Sequence, residues 1–309
     1  MTGFGVGIAA RGQGNHVDDV IAQALESRAA GVGSAWFGQR WDYDAVTLAA
    51  LVGRAVPDVM VGTAAIPIFG RHPLHVAMST QTAQAATGGR FQLGLALGAP
   101  SLIAQGLGVA HDRPIGLLRE FLTVIRDVQL TGTADFHGGR ITAAPPWPMA
   151  LPGATAAPVY VAAMGPQAVR VSGELADGIL PFLAGPRTLG EEIVPVLSAA
   201  AQAAGRPAPR VFAFMAGVVT SDVDRARAAA TAALEHYESI PSYRRVLDLE
   251  GVRKAGDLAV IGDEEAVAAR VRSHLDAGAT DIVFTQTHLF SDEDRLRTYR
   301  LLGDLGRAA

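Results

Sequence analysis

Eight times along this chain a short β-rich run is followed by residues whose apolar members recur at helical spacing. That alternation constrains the fold more than any single motif. Parallel neighbours in a sheet need a crossover connection, and a helix is the usual one. The runs lie at residues 4–9, 34–37, 59–63, 91–97, 159–162, 179–182, 211–219 and 280–285. Asn15 is placed to cap the first helix, whose apolar face is Val17, Val20, Ile21, Ala24 and Leu25. Further helices are expected over 45–55, 73–86 and 188–204, and after Ser291 as a cap. Gly3, Gly5 and Gly7 fall inside the first run, not after it, so no dinucleotide-binding glycine fingerprint follows strand one. Eight repeats without that fingerprint favour a closed (β/α)8 TIM barrel, an α/β fold. Residues 1–309 are expected to form one barrel domain. Insertions follow strands four and seven, at about 131–157 and 222–256, the first with a hairpin around His137 to Gly139.

The fifth repeat carries the clearest functional hint. Residues 159–162 form a strand, Gly165 permits a tight turn, and Pro166 is preset for a first helical position. Ala168, Val169, Ser172, Leu175 and Ala176 continue at helical spacing. The turn is small and uncharged. Backbone N–H groups of residues 163–167 would therefore project from a helix N-terminus, where a phosphate is favoured. The plain alternative is an ordinary α/β turn.

Composition removes several functions. Hydrophobic residues make up 49% of the 309 positions and charged residues 18%, as in a globular protein. The net charge of −4, without a basic run, argues against nucleic acid as the main partner. Cysteine is absent, which excludes disulfides and thiolate chemistry. Lys254 is the single lysine and follows a charged segment, so Schiff-base chemistry is disfavoured. No leader-like or membrane-spanning apolar segment is evident, and a cytoplasmic protein is expected.

In such a barrel the active site lies at the C-terminal strand ends. These ends offer little acid, base or metal chemistry. There is no His-x-His on strand one, no nucleophile elbow, no phosphate-binding P-loop and no pair of carboxylates. No metal is expected. The ends are small and apolar instead: Gly62 to Ala65, Leu97 to Ala99, and Ala162 to Gly165. A broad flat ligand could pack there against backbone. A redox cofactor fits because it brings the difficult chemistry with it.

Three stretches carry a more specific resemblance. They are Val61-Gly-Thr-Ala-Ala-Ile-Pro67 with Arg71-His-Pro-Leu74, Gly89-Arg-Phe-Gln-Leu-Gly-Leu-Ala-Leu-Gly98, and the fifth repeat ending Glu174-Leu-Ala-Asp-Gly178. The chain resembles the luciferase-like flavin and deazaflavin oxidoreductases, and is most similar to the actinobacterial branch that uses coenzyme F420. The resemblance covers nearly the whole chain. It implies a barrel with insertions and commonly a homodimer. It also implies a non-proline cis peptide after strand three, by position Thr63–Ala64, behind the deazaflavin ring. Ala163, Met164 and Gly165 would carry the cofactor phosphate, and Gly98 and Ala99 would line the ring pocket.

The resemblance has departures. Members that oxidise sugar phosphates resemble a pattern of an acidic residue and His after strand two, Glu after strand four, and a Lys for the phosphate. Here those places hold Gln39, Arg40 and Ala99, and the lysine is missing. Catalytic roles therefore fall to His72, Arg40 and His111, with Gln39, Trp41 and Gln286 as substrate contacts. Each has a plainer role open to it: His72 as a helix cap, Trp41 as a packed loop aromatic, His111 as an exposed loop residue. The implied reaction is hydride transfer between F420 and a small apolar or conjugated molecule. Two alternatives stand beside it: an FMN-dependent monooxygenase fed by a separate reductase, and a flavin-binding protein without turnover. A flavin or F420 reductase would be the cofactor's supplier.

Overall fold

The computed structural model describes residues 3–12, 14–289 and 291–308, so Gln13 in the first loop lies outside the described residues. The strands are β1 (Gly3–Gly7), β2 (Ser34–Phe37), β3 (Met60–Thr63), β4 (Ile66–Pro67), β5 (Phe91–Ala96), β6 (Phe136–His137), β7 (Thr142–Ala143), β8 (Val159–Ala162), β9 (Gly178–Ile179), β10 (Arg210–Val219), β11 (Val260–Gly262) and β12 (Asp281–Thr285). The helices are α1 (His16–Ala29), α2 (Ala45–Ala55), α3 (Pro73–Thr87), α4 (Pro100–Leu107), α5 (Pro114–Thr131), α6 (Pro166–Leu175), α7 (Val194–Ala203), α8 (Val223–Leu234), α9 (Pro241–Glu250), α10 (Glu264–Asp276) and α11 (Asp292–Ala308). Pairing runs β1-β2-β3-β5-β8-β9-β10-β12 and returns to β1, all parallel, which closes an eight-stranded (β/α)8 barrel.

The barrel is filled, not hollow. Trp36 of β2 is 1% exposed, and its ring packs edge-on against Phe212 (5.1 Å), Phe214 (5.5 Å) and Tyr160 (6.4 Å). An indole of this size needs the neighbouring strands β1 and β3 to give up side chains beside it. A Cβ on Gly62 would stand 2.6 Å from the Trp36 ring, and one on Gly5 3.1 Å from its Nε1. Gly62 and Gly5 thus leave room beside the plug, while Gly3 and Gly7 of the first strand lie against Asp281 and Thr285 instead. Below the plug, Arg210 Nε donates to buried Asp281 at 3.0 Å. No helix among the described residues is long and apolar enough to cross a membrane.

Several details differ from the sequence reading. Residues 100–107, outside every helix expected above, form α4; only Ile103 of it is buried, so the sequence shows no apolar stripe there. The continuation after β3 forms a strand of its own, β4, paired with Leu95 and Ala96 of β5. Residues 260–262 add a further parallel strand outside the eight-stranded ring, beside Gly217–Val219 of β10. Leu25, expected on the buried face of α1, is 44% exposed, because Gln23 and Ser27 take buried positions. The insertion after β5 holds the hairpin β6–β7, and Glu120 of α5 fixes its tip by accepting from the backbone N–H groups of Gly139, Arg140 and Ile141. The excursion after β10 is helical, as α8 and α9, over a small core of Leu234, Val246 and Leu247.

One buried titratable group outside the barrel mouth gives a pH prediction. His274 of α10 is 3% exposed and its Nδ1 donates to the Arg270 carbonyl at 2.7 Å. Burial holds its pKa below the ordinary 6.5. The folded state thus prefers neutral imidazole, while the unfolded chain takes up a proton near the ordinary value. Its contribution is present above that value and is lost as pH falls through the folded pKa. Melting temperature should fall between pH 7.5 and pH 5, and His274→Gln should flatten part of that fall. A variant with the parent's full acid sensitivity would remove His274 as its source.

Candidate functional site

At the C-terminal face of the barrel the strands end in small residues. The last positions of β1, β5, β8 and β12 (Gly7, Ala96, Ala162 and Thr285) are half-buried, whereas the residues before them are buried. Ala64 joins them beyond β3 and packs on the Trp36 cluster. The floor of the mouth is therefore flat and short of side-chain volume.

The bulge after β3 is fixed from behind. Thr63 is 0% exposed; its hydroxyl accepts from Gly94 N–H and donates to the Gly94 carbonyl, both at 2.9 Å. Ala64 N–H still donates to Phe37 O at 2.8 Å, so strand pairing continues one residue past β3. The cis bond lies at Ala64–Ala65, one residue later than the expected Thr63–Ala64. The continued pairing of Ala64 accounts for that shift. Thr63 itself supports the bulge, its hydroxyl fully engaged with Gly94.

On the opposite side, Ala163 is buried while Met164 and Gly165 are half-buried at the entry to α6. Gly165 is the N-cap and supplies no side-chain hydrogen bond, and Pro166 follows it. A Cβ at Gly165 would meet nothing within 4 Å. The first turn of α6 thus presents uncapped N–H groups and the positive helix end to open space, which suits a phosphate. Gly98 has φ of +76°, and Ala99 is the N-cap of α4, so both shape the turn leaving β5.

The expected substrate and catalytic residues separate into engaged and available groups. Gln39 spends its side chain on its own loop: Nε2 donates to the carbonyls of Arg40 and Tyr43, and Oε1 accepts from Ala45 N–H and Arg71. Arg40 is exposed and paired with Asp42 at 2.9 Å. That guanidinium holds the Asp42 carboxyl below its usual range. His72 caps α3: Nδ1 accepts from Leu74 N–H, and Nε2 stands 3.1 Å from the Thr142 carbonyl on the hairpin. Both its nitrogens are therefore occupied. His111 stacks on Phe69 with ring centres 4.2 Å apart, and its Nε2 is 3.2 Å from the Leu97 carbonyl. Its Nδ1 has no partner among the described residues. Trp41 is 69% exposed and lies over Gly106 of α4, where an added Cβ would come within 2.3 Å of the indole. Gln286 adopts φ of +51° and accepts from the Thr285 hydroxyl.

An aromatic wall was not foreseen. Phe182, which bridges to Phe214 beyond β9, packs against Tyr237 (5.1 Å) and Tyr243 (6.2 Å) from the excursion after β10. Burial raises both phenol pKa values. Met164 packs on the same cluster, which ties the wall to the α6 entry. The only sequence signal was a pair of tyrosines six residues apart in a helical segment.

A closed barrel with a small-walled mouth and an open helix N-terminus defines the class: a (β/α)8 barrel protein. The chain belongs to the luciferase-like monooxygenase family, whose profile matches residues 2–297. It is 28% identical over 192 residues to a Mycobacterium tuberculosis protein named as a coenzyme F420-dependent oxidoreductase. That alignment covers 57% of this chain and 53% of the relative, so the chain spans about half of that relative's length. It is 26% identical over 250 residues to the F420-dependent glucose-6-phosphate dehydrogenase of Nakamurella multipartita, covering 75% of this chain and 73% of that one. The F420-dependent tetrahydromethanopterin reductase of Methanopyrus kandleri has the same fold, with a TM-score of 0.82 at 19% identity over 98% of this chain and 97% of the other.

Proposed function

We infer that this chain is an F420-dependent oxidoreductase that transfers a hydride between the cofactor and a small apolar or conjugated organic molecule. The observation that carries the reading is the pairing of a small-residue mouth with the uncapped N-terminus of α6. The named relatives that use F420 add support. Ala163, Met164 and Gly165 would hold the phosphate through backbone N–H groups, and Ala64, Gly98 and Ala99 would lie along the ring. Bound F420 supplies two-electron hydride chemistry at C5 of its deazaflavin.

The protein's part is to bind, orient and exclude water. Phe182, Tyr237 and Tyr243 offer an apolar wall to the substrate. Among the described residues the two cations weighed for a sugar phosphate are not free at the mouth: Arg40 is engaged with Asp42, and Lys254 is exposed at the cap of a 3₁₀ turn in the excursion. We therefore do not assign the sugar-phosphate substrate of the Nakamurella relative. Of the three expected catalytic residues, His111 is the one with a free ring nitrogen. Its Nε2 contact and its stacking on Phe69 hold the ring, so Nδ1 would be the atom that moves a proton.

The test has two parts. Titration of tryptophan fluorescence with F420 and with FMN should give micromolar or tighter F420 binding and weak FMN binding. The reverse preference would move the assignment to the oxygenases for which the family is named, and binding of neither would sink the cofactor reading. His111→Gln should then lower turnover by about 100-fold, the low end for a lost general acid or base, with F420 affinity unchanged. Unchanged turnover would remove His111 from the reaction.

A further inference from the structure

On the F420 reading above, we propose that Phe182 is the specificity-determining residue of the barrel mouth, and that it selects a planar aromatic or conjugated ring as substrate. Inward side chains of an eight-stranded barrel stack in layers of four, each drawn from alternate strands. The strand registers fix those layers here. Gly38, Ala96, Phe182 and Thr285 form the uppermost, and Gly7, Ala64, Ala162 and Phe214 the one beneath it. Burial follows the same order. The uppermost layer is half-buried throughout, the next is half-buried except for Phe214, and the deeper layers that hold Trp36 and Tyr160 are buried. Phe182 is thus the one side chain larger than threonine in the layer that opens on the mouth.

Its place around the ring identifies what it meets. Ala64, Ala96 and Ala162 belong to the neighbouring strands β3, β5 and β8, the side assigned to the cofactor ring. Phe182 and Phe214 extend β9 and β10 and stand across the mouth from them. A molecule lying on the cofactor ring would therefore meet Phe182 on its far side. The position of Phe182 is held by backbone on both sides. Leu183 N–H donates to the Phe214 carbonyl at 3.0 Å, and Phe214 N–H donates to the Pro181 carbonyl at 2.9 Å. Leu183 takes φ of +59°, a left-handed conformation that leucine adopts only under constraint. Tyr237 and Tyr243 lie edge-on to the Phe182 ring and 4.6 Å from each other, which braces it. A fixed aromatic surface in a mouth of glycine, alanine and threonine discriminates between rings. A planar unsaturated ring gains an aromatic pair with it, whereas a puckered saturated ring of the same skeleton gains only buried area.

The experiment uses the whole chain saturated with F420 and two probes of one carbon skeleton: naphthol, which is planar, and decahydronaphthol, which is saturated and puckered. Calorimetry reads both affinities. One aromatic pair predicts about fivefold tighter binding of naphthol by the parent. Phe182→Leu and Phe182→Met both keep apolar bulk without a ring. Each should lower that preference about fivefold and leave F420 affinity at the parent value. Phe212→Leu makes the same change at a buried aromatic deeper in the barrel. It should lower the melting temperature and keep the preference. Equal affinities of the parent for the two probes would overturn the proposal, as would a preference that survives at position 182 without a ring. An equal loss in Phe212→Leu would also overturn it, because the preference would then follow from a loosened fold. F420 binding without any preference for naphthol sinks this inference alone; if F420 does not bind, the cofactor reading fails and the selectivity argued from it fails too.

Discussion

Gly94→Ala is expected to cost the fold at least about 3 kcal/mol, the upper part of the range for overpacking a core. Gly94 sits in β5 with its missing side chain directed at the bulge. An added Cβ would stand 3.0 Å from the Thr63 carbonyl carbon and closer still to that carbonyl's oxygen, with a Leu180 methyl at 2.6 Å. The side chain of Leu180 could yield, but the Thr63 backbone cannot. It is held by two hydrogen bonds between the Thr63 hydroxyl and Gly94 itself, both at 2.9 Å. One methyl group would therefore push apart β3 and β5 at the mouth and displace Ala64 and Ala65. Chemical denaturation should show a lower midpoint with an unchanged slope, since the surface exposed on unfolding is the same. F420 affinity should fall as well. Gly62→Ala, which meets mainly the Trp36 ring at 2.6 Å, should be milder because a ring can shift further than a strand. Parent-like stability of Gly94→Ala would mean that the bulge does not depend on that contact.

The same position shows what a sequence can and cannot disclose. The strand runs were legible because burial on both faces leaves unbroken β-branched and apolar stretches. Residues 34–37 and 159–162 coincide with β2 and β8. The bulge was placed one residue early, since nothing local to Thr63 and Ala64 reveals that Ala64 keeps its bond to Phe37. α4 was missed because Pro100, Gly106 and a single buried Ile103 mimic a loop. Polar candidates fared according to their neighbours. Gln39 and His72 have functional chemistry, yet their atoms are spent on a loop and a cap by partners distant in sequence, Arg71 and Thr142. Phe182, Tyr237 and Tyr243 could not be joined from sequence, because only the folded excursion brings them together. The turn at 163–165 was legible for the opposite reason: strand, glycine and proline specify a turn locally, with no distant partner needed.

That cradle yields the second large effect, in which stability and binding move in opposite directions. Gly165→Asp should slightly stabilise the protein and weaken cofactor binding by well over tenfold. Gly165 has φ of −77° and ψ of 142°, which any residue adopts, and its added side chain would meet nothing within 4 Å. It is the N-cap of α6 and at present supplies no cap. Aspartate is among the best N-caps, but glycine already serves within a few tenths of a kcal/mol of the good ones, so the gain is small. The carboxylate would occupy the free N–H groups and add a charge where the cofactor phosphate is assigned. Two like charges about 4 Å apart cost about 1 kcal/mol in water and about 4 kcal/mol near a protein surface. Even the midpoint of that range weakens binding by roughly 60-fold, and the lost N–H donors add to it. Gly165→Asn separates the two contributions, since it caps α6 without charge and should lose much less affinity. Thermal melting and F420 titration on the same samples read both effects. If Gly165→Asp melts at or above the parent temperature and still binds F420 with parent affinity, the phosphate does not rest on α6. A variant that melts higher and binds far more weakly would locate the anion site at that turn, because a damaged fold could not produce both results together.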